Sequence, residues 1–173
     1  SFNTFAVTMP NGIYLWNVQA CDSVGLCAFD STNRTLTVDS TNPFINITSP
    51  AGNNTYVSRT YIASTVNASD AHLDTINLTI SNSTGLWNWT TGTANFTVNW
   101  TGLANGRYFI NATVNDTVGN TNTSSTTWIT LDTTLPFVNI TSPANNSYYV
   151  VTYFTARANA SDANLGTINL TLW

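Results

Sequence analysis

Sixteen asparagines in this 173-residue chain stand in Asn-x-Ser/Thr triplets with no proline at the middle position: Asn33, Asn46, Asn53, Asn67, Asn77, Asn82, Asn88, Asn95, Asn99, Asn111, Asn115, Asn122, Asn139, Asn145, Asn159 and Asn169. In a secreted chain that triplet accepts an N-linked glycan through the side-chain amide. With 25 Asn and 47 Ser and Thr, chance would place about seven such triplets, so they occur at about twice the random number. A Thr-rich outward strand face would also raise the count by itself. Cys21 and Cys27 form the second chemical pair, separated by Asp-Ser-Val-Gly-Leu. A disulfide across the arms of a hairpin fits this spacing and is permitted outside the cell. Its short loop would add about 2 kcal/mol. Two free thiols or a metal pair are the alternatives, and the metal pair is poor because the chain has a single His.

Catalysis finds few candidates. His72 is the sole imidazole, it lies in the turn Ser-Asp-Ala-His-Leu-Asp, and its counterpart in a second copy of that segment is Asn164. It reads as a surface residue. The chain has neither Glu nor Lys, no Gly-x-Ser-x-Gly elbow and no glycine-rich phosphate loop. No enzyme is expected. Asp70 and Asp74 flank one turn, Asp39 and Asp132 close successive units, and Asp22 and Asp116 open two hairpin turns. Calcium needs several converging oxygens. Asp is also the ordinary residue for side-chain-to-backbone bonds at turns, and Asp74 is replaced by Gly166 in the second copy. Turn roles are therefore expected ahead of calcium, and no cofactor is expected.

These residues sit within a long repeat. Residues 43–50, PFINITSP, return at 136–143 as PFVNITSP; NASDAHLDTINLTI (67–80) returns as NASDANLGTINLTL (159–172); GIYLWNVQACDSVG (12–25) returns as GRYFINATVNDTVG (106–119). A spacing near 93 residues exceeds a solenoid repeat and matches one small domain. The chain thus divides into a C-terminal half-domain (1–39), a complete domain (40–131) and an N-terminal half-domain (132–173). Within 40–131 the pattern has period two: Ile45 and Ile47; Ile62, Ser64, Val66 and Ala68; Ile76, Leu78 and Ile80; Trp87 and Trp89; Phe96, Val98 and Trp100; Tyr108, Ile110, Ala112 and Val114; then 123–131. Turn-forming clusters separate these runs. Seven short strands without helical periodicity predict an all-β, antiparallel two-sheet sandwich. Asn46, Asn67, Asn77, Asn88, Asn95, Asn99 and Asn111 fall on the outward phase, as glycan acceptors should. Tyr14, Trp16, Trp87, Trp89, Trp100 and Tyr108 fall on the core phase, whereas Leu15 and Phe109 point out.

The order Pro-x-Ile/Val-x-Ile-Thr-Ser-Pro, then Asn-Ala-Ser-Asp, then Gly-x-Tyr with Asp-x-x-Gly resembles tandem immunoglobulin-like repeats of archaeal and bacterial cell-surface and filament proteins. The likeness covers the whole chain and implies tandem immunoglobulin-like sandwiches of about seven strands each. The Cys…Trp…Cys spacing of antibody domains is missing, so immune-type recognition is not implied.

Charged residues make up 7% of the chain, and the net charge is −4. That excludes a basic nucleic-acid footprint, and no apolar run is long enough for a membrane-spanning helix. A surface so poor in charge needs another source of hydration, which N-linked glycans would supply while shielding strand edges from lateral pairing. The expected role is a structural subunit of an extracellular, cell-surface filament, pilus-like fibre or stalk, its partners being identical copies head to tail. The alternative is an adhesin module binding a cell-surface glycan or protein. Because 1–39 supplies the last three strands of a sandwich from near Phe2, and 132–173 the first three, neither half can bury its apolar face alone. Each is expected to lie against a neighbouring copy, together forming one composite domain.

Overall fold

Isoleucine, valine, threonine and aromatic residues alternating with polar ones favour pleated, half-buried strands, and strands are what the chain forms. The computed structural model describes residues 3–173; Phe2, the expected start of the first strand, lies outside the described residues. In chain order the strands are β1 (Gly12–Trp16), β2 (Gln19–Cys21), β3 (Cys27–Phe29), β4 (Arg34–Val38), β5 (Phe44–Ser49), β6 (Thr55–Val57), β7 (Tyr61–Ser69), β8 (Leu73–Asn82), β9 (Gly85–Gly92), β10 (Phe96–Thr101), β11 (Gly106–Asp116), β12 (Thr121–Thr123), β13 (Thr127–Leu131), β14 (Phe137–Ser142) and β15 (Arg157–Ser161).

Residues 40–131 build an antiparallel sandwich. One sheet has the order β10-β7-β5, and the other runs β6-β13-β11-β8-β9, with β12 also paired to β11. The exception to antiparallel pairing is β6 beside β13, which is parallel. Between the sheets lie Ile45, Ile47, Ile62 and Val66 from one side, and Ile76, Leu78, Ile80, Ile110, Val114, Ile129 and Leu131 from the other. The buried Trp100 indole donates to Ser64 Oγ at 2.9 Å, so the polar groups it carries into the core are paired. Tyr108 is buried and its hydroxyl donates to the Ala104 carbonyl at 3.0 Å, a tyrosine corner at the start of β11. Tyr14 makes the same bond to Pro10 at 2.8 Å in the preceding unit. A buried Asp116 closes the β11–β12 turn, with Oδ1 accepting from the amides of Val118, Gly119 and Asn120.

One strand reverses its expected phase. In β9, Trp89 lies opposite Thr79 on the solvent side and Asn88 opposite the buried Ile80, after a register shift between Ile80 and Ser81. The irregularity at this edge strand turns the alternation over. Trp87 and Trp89 are therefore exposed rather than in the core, and Asn88 faces inward at the uncovered margin. Trp16 is exposed as well, because among the described residues no opposing sheet covers β1 and β4.

The flanking segments follow one rule: a strand forms where its hydrogen-bonding partner lies in the same half. In 132–173, β14 and β15 pair in the register of β5 and β7, Asn139 opposite Asn159 as Asn46 is opposite Asn67, with the irregularity in the same place. In 1–39, β1 and β4 pair as β11 and β13 do, Gly12 opposite Val38 as Gly106 is opposite Leu131. The expected third strands are not formed. Residues 167–172 repeat the β8 sequence but have no strand, because β8 bonds to β11 and β9, which 132–173 lacks. The stretch 3–11 has none either, since β10 bonds to β7. Residues 147–149, counterparts of β6, lack the partner that β13 provides. Exposure follows: Ile76, Leu78 and Ile80 are 0% exposed, whereas Ile168, Leu170 and Leu172 are 55%, 66% and 71% exposed.

Candidate functional site: the clasp between units

The polar residues that converge in this structure do so where one unit meets the next. At the first junction, Asn11 from the loop before β1 donates to Asp39 Oδ1 at 3.2 Å and Thr41 Oγ1 at 2.7 Å. Its Oδ1 accepts from the Ser40 amide at 3.1 Å and the Ser40 hydroxyl at 2.9 Å. At the second junction Asn105 repeats the set. It donates to Asp132 Oδ1 at 3.2 Å and Thr134 Oγ1 at 2.8 Å, and accepts from the Thr133 amide at 3.1 Å and hydroxyl at 3.0 Å. A single side chain thereby fixes the path of the connecting peptide as it leaves β4 or β13.

The other carboxylate oxygen reaches forward into the next unit. Asp39 Oδ2 lies 2.6 Å from His72 Nδ1, and Asp132 Oδ2 accepts from Asn164, the residue at the same place in the second copy. In each case the forward residue is positioned by an aspartate two places before it, Asp70 Oδ1 accepting from the His72 amide and Asp162 Oδ1 from the Asn164 amide, both at 2.7 Å. Asn120 of the β11–β12 turn adds a bond to the Asp39 carbonyl at 3.1 Å. His72 is thus a bridging residue, not the surface residue expected from its turn sequence. The Asp39 carboxyl is held below its ordinary range by the Thr41 amide and by His72. Asp132 is lowered by the Asn164 amide and the Thr134 amide. These shifts mean that ionised carboxylates hold the clasps together.

Among the described residues, Asp39, Asp70 and His72 are the group whose ligand atoms could converge on a cation, all within 4.8 Å of one another. The set suits calcium poorly. One donor is a nitrogen, and hard cations prefer six or more oxygens. Asp22 serves a turn, its Oδ1 accepting from the amides of Val24 and Leu26 as Asp116 does in its own hairpin, and Asp30 lies 3.7 Å from the Arg34 guanidinium. Asp74 instead accepts from Asn115 Nδ2 at 2.9 Å.

Cys21 and Cys27 are joined in a disulfide across β2 and β3, with Cα atoms 4.0 Å apart. The sixteen sequon asparagines divide by what their side-chain nitrogen does. Asn111 Nδ2 donates to the Ser124 carbonyl and Thr126 Oγ1, Asn115 Nδ2 to Asp74 and the Asp116 carbonyl, and Asn122 Nδ2 to the Pro43 carbonyl. Asn33, Asn53, Asn82, Asn88 and Asn95 use their oxygen instead, as acceptors. Asn46, Asn99, Asn139, Asn145, Asn159 and Asn169 are exposed, and Asn67 and Asn77 half-buried. The clasp residues Asn11 and Asn105 were not evident from motif reading. A signal existed: both precede a repeated Gly-x-Tyr without belonging to a sequon.

The class of protein that these features define is an all-β chain whose residues 40–131 form an antiparallel β-sandwich. No family model matches the sequence, and no curated protein is significantly similar to it. Solved structures with a similar course include an engineered protein at 18% identity and TM-score 0.42, matching 57% of this chain and 22% of that one. The fibronectin(III)-like modules of Clostridium thermocellum CbhA match 53% of this chain and 99% of theirs, at 20% identity and TM-score 0.41. The dimeric latent PorU of Porphyromonas gingivalis matches 71% of this chain and 12% of its own, at 13% identity and TM-score 0.42. No helix among the described residues is long and apolar enough to cross a membrane.

Proposed function

We propose that this chain is a structural subunit of an extracellular, N-glycosylated filament or surface stalk built from head-to-tail immunoglobulin-like sandwiches. The role is mechanical rather than catalytic. The observation that carries the reading is the complementarity of the two half-units. Residues 1–39 hold the counterparts of β11 and β13, residues 132–173 those of β5, β7 and β8, and each unformed strand lacks a partner that the opposite half would provide. Joining them would cover Ile168, Leu170 and Leu172, at roughly 1.5–3 kcal/mol for each apolar side chain buried. The joining partner is the next repeat, supplied by the same continuous chain or by another copy. Either way the contact is heterologous and does not close, which makes a fibre. Two clasps with the same bonds support a constant geometry from unit to unit.

Two experiments test this. Light scattering and negative-stain microscopy across a concentration series should show linear assemblies that lengthen with concentration; compact closed oligomers would contradict the reading. Peptide mass spectrometry of the native protein should find hexose on exposed acceptors such as Asn46, Asn99 and Asn139. Unmodified Asn at all sixteen sites would remove the glycan part.

A further inference from the structure

We propose that the outer face of the larger sheet in residues 40–131 is a platform for a neutral pyranose chain, a binding role beyond the structural one. The register sets the face out in rows. Trp89 on β9 stands beside Thr79 on β8, and the next row runs from Ser81 to Phe109 on β11 and Trp128 on β13. Trp89 is 58% exposed, whereas Phe109 and Trp128 are half-buried. At the far side the Arg107 guanidinium stacks 4.1 Å from the Trp128 ring, which holds its donors over the sheet. With strands about 4.8 Å apart, Trp89 and Phe109 lie two strands, roughly 10 Å, apart across the sheet. Aromatic rings set apart on a sheet face, with the Ser81 hydroxyl between them and the Thr79 hydroxyl bonded to the Asn111 carbonyl, match a sugar chain, whose C–H faces pack on rings while its edges hydrogen-bond.

Two observations favour sugar over a second copy of the chain. The aromatic residues are interleaved with Thr79 and Ser81, whereas the core of a protein interface is depleted in serine and forms a continuous patch. The face differs between copies as well. Where residues 106–131 have Arg107, Phe109 and Trp128, residues 12–38 have Ile13, Leu15 and Thr35, although the inward Tyr14 and Tyr108 are the same. Architecture explains the residues that repeat, and this face is outside it.

The test is titration of the 173-residue chain with cellohexaose, mannohexaose and chitohexaose, followed by tryptophan fluorescence. At least one should give a saturable change. Its affinity should fall tenfold or more in Trp89→Ala and in Phe109→Ser, and stay unchanged in Thr97→Ala on the opposite sheet. Far-UV circular dichroism checks each fold, and Trp89→Tyr, which keeps a ring, should retain binding. No saturable change with any of the three sugars, or binding that survives both face variants, overturns the proposal. So does self-association that Trp89→Ala abolishes, which would assign the face to a second copy. Head-to-tail assembly is read separately, through Leu170→Asp, so failure of one reading is distinguishable from failure of the other.

Discussion

Single carboxylates carry much of the local order here. Burial pulls the Asp116 carboxyl upward, but the side chain and amide of Asn120 and the amides of Val118 and Gly119 outweigh it and leave the group below its ordinary range. A depressed carboxyl contributes stability above its unfolded value, about 3.9, and that stability is lost as pH falls through the folded value. The melting temperature should therefore be flat above about pH 5 and fall below about pH 4. Asp116→Asn should lower it at neutral pH and shrink the acid-dependent part; an unchanged acid profile in that variant would contradict the assignment. Reducing Cys21–Cys27 should loosen residues 12–38 by about 2 kcal/mol and leave the melting of 40–131 alone, which amide exchange can separate. Sequence made the cysteine pair and the turn aspartates legible, because their partners are a few residues away. His72 was not legible, since its partner Asp39 lies across a unit boundary, 33 residues back.

At the scale of strands, period two located seven of the nine strands of 40–131, because inner-face residues there meet an opposing sheet. It missed the three-residue β6 and β12 and inverted β9, whose phase is set by a register irregularity that alternation cannot reveal. It also predicted strands at 167–172 and before β1, where sequence favours extension but the hydrogen-bonding neighbour is absent. Propensity does not make a strand without a partner. A matched pair tests this. Leu78→Ala should cost 2–5 kcal/mol, read by denaturant unfolding of 40–131. Leu170→Ala, the same change in the second copy, should cost less than about 0.5 kcal/mol in dilute monomer. Equal costs would mean that 167–172 is packed.

Across the whole molecule, the same Asn-centred bonds recur on either side of the sandwich, and in the proposed fibre they would set the direction from one unit to the next. Asn105→Ala removes four hydrogen bonds from the second junction. It should broaden the range of orientations seen by small-angle scattering with no shift in the melting of 40–131; an unbroadened profile would deny the clasp its role. The central claim, that the two half-units complete one another, is tested most directly by sedimentation of two complementary variants. Leu170→Asp spoils the apolar face of 132–173 and leaves 1–39 intact, while Trp16→Asp does the reverse. Each variant alone should sediment as a monomer, and an equimolar mixture as a heterodimer that grows no further. A mixture that stays monomeric, or variants that assemble alone as the unmodified chain does, would contradict the account.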